Sequence, residues 1–321
     1  MTLSEQTKSL RTPLPWRQIK DRLAEKSFFL LSLVPILLVL AIILALWLRT
    51  RPILEARSII DLIFGQTWKP LKGQFGFYPF ILGTFWVTTV AMLLAVPPSL
   101  LTAMYLAEYA RSSTRSIMKP LLDLLAAIPS VVYGVWGLLA IVPWVEGHLK
   151  PFLTRWLGFI PLFSSENPTG YSILAGGIVL AVMVIPFIVA VTFEVMRTVP
   201  DGYREAALAV GATRWQTIKS AVIPQVLPGM IAGVVLGASR ALGETMAVLM
   251  VVGNVPTVPS SIFDPAYPLP ALIANNYGEM LSIPLYDAAL LGAALMLLII
   301  VLFFNVLSTL VLNRLTRRSM V

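Results

Sequence analysis

Two ionisable residues four apart, Arg240 and Glu244, stand inside a run that is otherwise apolar or small, Gly229 to Val248. At membrane depth each ionised group costs roughly 2.5–3.5 kcal/mol even on the lenient insertion scale, so such residues face a protein interior or a wet cavity and mark a functional site by default. On a continuous helix they share one face. The guanidinium is a planar fork of donors that suits a tetrahedral oxyanion. The carboxylate can orient the fork, moderate its grip, or accept a proton from the anion. The competing reading is a structural salt bridge that fixes helix packing. Thr245 adjoins the pair, and Ser130 and Tyr133 lie beside Pro129 and Gly134 in another apolar run, where a broken helix lining a cavity is tolerated. A simple kink explains Pro129 equally well. No catalytic residue, cofactor or metal site is expected: there is no cysteine, and the single histidine is His148 in a polar connection. No Gly-Lys pair occurs, so the phosphate-cradling Gly-x4-Gly-Lys-Ser/Thr loop is excluded and this chain is not expected to bind or hydrolyse ATP. A membrane-embedded enzyme would need convergent catalytic groups, which one Arg–Glu pair does not supply.

The elements that carry these residues follow from composition. The chain of 321 residues is 57% hydrophobic and 12% charged, with a mean hydropathy of +0.83; soluble domains carry about 25% charged residues. Runs of 18 or more apolar residues are long enough to cross a hydrocarbon core of ~30 Å at 1.5 Å per residue. Six spans are expected, at residues 28–48, 80–107, 117–142, 171–193, 226–252 and 288–312. They should be helical, because a lone segment in lipid must satisfy its own backbone; the fold class is an all-α polytopic membrane protein. The first span is too long for a signal core and lacks a small-x-small cleavage site, so it is expected to be retained. Gly229, Gly233 and Gly237 recur every four residues, a stripe that permits close helix packing. Pro97, Pro98 and Pro186 are expected to shape helices. The net charge of +8 is distributed beside the apolar runs, so a membrane surface, and not nucleic acid, is the expected polyanionic neighbour.

Orientation is read from lysine and arginine. With the N-terminus inside, Lys8, Arg11, Arg17, Lys20, Arg22 and Lys26 precede the first span, and Arg111, Arg115 and Lys119 lie in the next inner connection. Sixteen basic residues are then inside and seven outside, which places both termini in the cytoplasm. Residues 49–79 fit least well, with five basic residues on the outer side; their amphipathic stretch can lie along the interface. The expected organisation is a cytoplasmic segment 1–27, a first helix with its outer connection 28–79, a transmembrane core 80–312 with an inner loop at 199–224, and a basic cytoplasmic tail 313–321.

That inner loop reads as two short helices around a bend. Asp201 can cap a helix through Val210, Gly211 stops it, Thr213 can cap the second, and Pro224 closes the second where the fifth span begins. The small residues Ala206, Ala207 and Ala209 beside Glu205 let a partner surface approach closely, as for a helix laid in a groove.

Glu205-Ala206-Ala207, Gly211 and Pro224 thirteen positions later resemble the EAA loop of type I ABC-importer permeases. Arg240-Ala-Leu-Gly-Glu-Thr-Met-Ala-Val248 and Ala127-Ile-Pro-Ser-Val-Val-Tyr-Gly-Val-Trp-Gly-Leu138 are similar to the phosphate-specific transport permeases, the PstC type in particular. The Arg-x-Leu-Gly-Glu core alone is shared with molybdate and sulfate permeases and indicates only oxyanion import. The resemblance covers about residues 80–312 and implies a permease subunit of the prokaryotic plasma (inner) membrane that forms half of a phosphate path. It implies that Glu205, Ala206, Ala207, Gly211 and Pro224 belong to the coupling loop of a PstB-like ATPase dimer. It further implies a homologous PstA-like permease, a PstS-like binding protein outside, surrounding lipid, and a path past Arg240, Glu244, Thr245, Ser130 and Tyr133. The rivals are a permease for another oxyanion and an ion-coupled secondary transporter; the latter class lacks such a docking loop and often carries internal repeats.

Overall fold

The computed structural model describes residues 15–279, 283 and 285–319. Lys8 and Arg11 of the inner charge cluster lie outside the described residues. The chain divides into two units between Arg49 and Thr50. The first is the leading part of the apolar helix α1 (Pro15–Ala56); everything that follows is the second.

After α1 comes a short helix α2 (Ile59–Phe64), capped by the Ser58 hydroxyl, which accepts from the Ile60 amide. It buries Leu62 and exposes Ile59, Ile60 and Phe64. A two-stranded antiparallel hairpin, β1 (Trp68–Lys69) and β2 (Gln74–Phe75), pairs Trp68 with Phe75. The Trp68 ring lies 5.1 Å from Phe80, and Phe80 lies 5.3 Å from Tyr267, so aromatic packing ties the hairpin to the helices. The amphipathic stretch expected in 49–79 is therefore partly packed over one end of the bundle.

Helices α3 (Tyr78–Met104), α4 (Ser112–Ala127), α5 (Ser130–Trp136), α6 (Val142–Trp144), α7 (Lys150–Leu157) and α8 (Ile173–Arg197) follow. Next are α9 (Asp201–Ala209), α10 (Arg214–Thr217), α11 (Ile223–Leu242), α12 (Met246–Leu249), α13 (Leu269–Asn276) and α14 (Tyr286–Ser319). Among the described residues six helical stretches are long and apolar enough to cross a membrane.

α8 is the centre of the bundle, with Val179, Leu180, Val184, Ile188 and Val189 fully buried. Its Gly177 admits α3: a Cβ there would stand 2.4 Å from Val90 Cγ1. On its other side the stripe of α11 faces α8. A Cβ on Gly229 would be 2.4 Å from Val195, on Gly233 3.1 Å from Val191, and on Gly237 2.7 Å from Ile188.

Three spans differ clearly from the expected boundaries; the first is longer than 28–48, running Lys20–Ala56. Residues 117–142 are not one helix. A proline disfavours the helical region for the residue before it, and Ile128 is extended (φ −61°, ψ 130°), so α4 ends there and the span runs Ser130–Leu157. His148 accordingly lies on an exposed helical turn of that span. The fifth span begins earlier, since Arg214–Leu242 is one helical stretch. Pro224 does not close the second loop helix: a π turn at Ile218–Val222 precedes it, with the Ile223 amide donating to Ile218 O, and the helix continues through the proline. That span also ends earlier, and the end lies at the site.

Candidate functional site

Helix α11 stops at Leu242, and the chain passes Gly243, Glu244 and Thr245 before α12 begins. Arg240 and Glu244 therefore do not share a helical face, and they form no ion pair among the described residues. The expectation failed because a four-residue spacing aligns side chains only while the helix continues. Arg240 sits in the last turn of α11, where the negative end of the helix dipole favours a cation. Its guanidinium carbon lies 3.9 Å from the centroid of the Phe187 ring on α8, a cation–π contact. The side chain is exposed on this chain, and its N–H donors reach no acceptor among the described residues. Glu244 turns the other way: its Oε1 accepts from the Ala247 amide at 3.3 Å and so caps the N-terminus of α12. Thr245 Oγ1 donates back to Gly243 O at 3.3 Å, holding the break.

The second motif arrives at the same place. Pro129 initiates α5, and the Tyr133 hydroxyl donates to Leu125 O at 2.8 Å, spanning the gap between α4 and α5. α5 then packs on α12 so tightly that a Cβ on Gly134 would meet Met250 Sδ at 2.7 Å and Ala247 Cα at 3.1 Å. Tyr133 is buried within electrostatic reach of Arg240, and Ser130 is half-buried at the start of α5. The structure thus brings together the Pro-Ser-Val-Val-Tyr-Gly run and the Arg-Ala-Leu-Gly-Glu-Thr run from separate spans. Chemically this is a cation lying over an aromatic ring with its N–H donors unmet among the described residues, an arrangement that leaves donors for an anion. Phe187 was not singled out from sequence, because an aromatic residue in an apolar span signals only burial.

At the other end of α11 lies the inner loop. α9 starts at Asp201, with Pro200 in the N-cap position, so Asp201 supplies first-turn charge and no cap hydrogen bond. Gly211 has φ +84°, a left-handed conformation that a Cβ makes costly, and it ends α9. Thr213 and Gln216 form a reciprocal capping box at α10. Glu205 and Ala206 are exposed and Ala207 is half-buried. Ala206 and Ala207 border a cleft of about 550 Å³ with Tyr203, Ser220, Ala221 and Gln225. Large apolar side chains of the loop stand open, with Val210 85% and Trp215 53% exposed. One contact was not expected: Arg204 beside Glu205 reaches Glu108 at the end of α3, Nη2 to Oε1 at 2.8 Å. A separation of 96 residues gives no periodic signal for such a pair.

Residues 99–320 match the family described as binding-protein-dependent transport system inner membrane component. The chain is 37% identical over 311 residues to the phosphate transport system permease protein PstC of Xylella fastidiosa, covering 94% of this chain and 95% of that one. It is 34% identical over 306 residues to the probable phosphate transport system permease protein PstC of Methanocaldococcus jannaschii, covering 92% and 96%. Among solved structures, a bacterial alginate ABC transporter in complex with an alginate pentasaccharide-bound periplasmic protein aligns with a TM-score of 0.55 at 18% identity, covering 95% of this chain and 97% of that one. With that match over most of its length, relatives above 30% identity, and helices in the arrangement of an importer permease, the chain belongs to the family of binding-protein-dependent transport system inner membrane components.

Proposed function

We propose that this permease carries inorganic phosphate inward, supplies half of the translocation path, and is driven through α9 by a separate ATPase. The observation that carries the reading is the Arg240 guanidinium, lying over the Phe187 ring and without a carboxylate partner among the described residues, at the break of α11 beside α5. A cation kept at membrane depth without an acid to neutralise it has its charge available for a passing anion. The relatives named as phosphate permeases support phosphate as that anion.

Arg240 lies on an exposed face of this chain, so the path needs a second wall, which a homologous PstA-like permease supplies. A PstS-like binding protein delivers phosphate at the outer end. At the inner end, two PstB-like ATPase subunits receive the coupling loops, α9 being the one on this side, with Glu205, Ala206, Ala207 and Gly211 in the contact and both chain termini on the same cytoplasmic side. Glu244 and Thr245 shape the break that holds Arg240 in position, and Ser130 and Tyr133 form the adjoining wall.

The test is uptake by the complete transporter in proteoliposomes. Labelled phosphate should accumulate with ATP inside the complex's reach, unlabelled phosphate should compete, and molybdate and sulfate should not. Arg240→Ala should leave the complex assembled and reduce uptake to that of vesicles without it. Competition by molybdate or sulfate alone would replace the substrate, and normal uptake by the Arg240 variant would remove the site.

A further inference from the structure

We propose that Arg204 and Glu108 are a positioning pair, a strut through which displacement of α9 is passed to α3 and α8 and so to the ring beneath Arg240. The inference rests on the reading of α9 as the ATPase-docking helix and goes beyond it, since neither residue belongs to the docking face or to the path.

Arg204 is adjacent to Glu205 in sequence but turns away from the docking side. Its Nε donates to both Glu108 oxygens at 3.1 and 3.3 Å, and its Nη2 donates to Glu108 Oε1 at 2.8 Å and to Met196 O at 3.1 Å. Its Nη1 donates to Val199 O at 2.7 Å and to Asp201 Oδ1 at 3.3 Å. A guanidinium has five N–H donors in a rigid fork, and here every nitrogen is engaged. The pair is also withdrawn from water, with side-chain exposures of 19% for Arg204 and 9% for Glu108. Open surface pairs contribute little; a bidentate pair in this setting leaves a stranded charge when one partner is removed.

The partners sit on different elements. Glu108 belongs to a π turn, Tyr105–Tyr109, at the end of α3, and single π turns within helices recur at functional positions. Met196 and Val199 offer carbonyls at the C-terminal end of α8, groups that a helix end leaves without partners. One side chain therefore clamps the ends of two helices to the third, short helix that faces the cytoplasm. α3 and α8 form the most extensive helix pair of the molecule. Phe187 lies nine residues up α8 from Met196, about 14 Å at 1.5 Å per residue, and bears the guanidinium of Arg240. A push on α9 is thus passed by one side chain to the ends of both helices, and along α8 to the ring. Spatial continuity of this kind becomes coupling only when perturbing one end is seen at the other, which sets the experiment.

The complete transporter, reconstituted with its binding protein, is assayed for phosphate uptake and ATP hydrolysis in the same vesicles. Arg204→Lys keeps the charge and loses the fork; Glu108→Gln keeps the shape and loses the charge. Both should assemble and hydrolyse ATP within twofold of the parent, while phosphate moved per ATP falls at least tenfold. A purely structural pair would lower assembly and leave that ratio unchanged. The native chain has no cysteine, so a second measurement is available in Glu108→Cys/Arg204→Cys. It should be uncoupled until a short bifunctional thiol reagent joins the two positions, and regain its ratio afterwards. Unchanged phosphate per ATP in the single variants, or loss of transport on crosslinking, overturns the strut. Glu205→Lys is run alongside. If it releases the ATPase while the 204 and 108 variants transport normally, only the strut fails; if it keeps ATPase and transport, the docking reading fails first.

Discussion

Arg240 has an aromatic partner where a carboxylate was expected, and the difference matters for what the residue can do. An ion pair with Glu244 would have satisfied the cation and competed with any anion for it. A cation–π contact, worth about 0.5–1 kcal/mol when exposed and about 2 when desolvated, fixes the guanidinium plane and leaves its edge open. Phe187→Leu should preserve bulk and remove the ring. With about 1–2 kcal/mol lost, uptake by the assembled transporter should fall several-fold to about thirtyfold, less than for Arg240→Ala; unchanged uptake would mean that the ring does not orient the cation. A second residue-scale case lies in the connection between α12 and α13. Burial pushes the Asp264 carboxyl up, but hydrogen bonds from Ser165, Ser260 and Ser261 together outweigh it and hold the pKa below the ordinary carboxylate value. A depressed folded value means that the stabilisation is present above about pH 4 and is lost as pH falls through the folded value. Asp264→Asn should cost about 1–3 kcal/mol at neutral pH and flatten the acid limb of thermal stability measured on the solubilised protein. No local pattern in the sequence marks Asp264 for this role, because its partners stand in two separate segments.

Among elements, the informative features are where helices stop and how closely they approach. The break at Ile128-Pro129 was legible as a weak point but not as an end, since the apolar run continues on both sides and proline is compatible with either a kink or a start. What decides it is packing: α5 presses Gly134 onto α12, and Tyr133 reaches back to Leu125 across the gap. The glycine stripe of α11 was legible as a close approach, though not its partner, which is α8. Val184 and Ile188 are both β-branched and fully buried, and a Cβ at 237 would stand 2.9 and 2.7 Å from them. Overpacking of that kind costs about 1–3 kcal/mol, so Gly237→Val should lower the unfolding midpoint of the solubilised chain. Gly147→Ala, at a position with open space around it, should leave it unchanged. Equal effects of the two substitutions would remove the close contact as the cause.

For the whole molecule, the two ends of the bundle have different tasks in the proposed transporter. The α9 end exposes Tyr203, Leu208, Val210 and Trp215, an apolar patch that suits a protein neighbour better than water. Glu205→Lys places a cation in that contact and should release the ATPase during co-purification while the permease pair stays together. Full retention of the ATPase, with transport, would show that α9 is not the contact. The lysine and arginine asymmetry makes a separate prediction about sidedness: Lys72→Cys should react with an impermeant thiol reagent from outside intact cells, and Lys219→Cys should react only after permeabilisation. The reverse pattern would invert the proposed topology.

Length, composition and motif spacing by themselves determined a six-span helical membrane protein, because a segment in hydrocarbon has no partner for its backbone but itself. Local chemistry likewise determined the stop at Gly211 and the cap at Thr213, which act through backbone geometry within a few residues, but not the cap expected at Asp201 or the end expected at Pro224. Only the tertiary structure decided that Arg240 rests on Phe187, that Glu244 caps α12, and that Arg204 clamps Glu108 from 96 residues away. Side chains from different spans meet according to where each helix ends and which face it turns inward, and those choices are made by packing between helices, which no local pattern encodes.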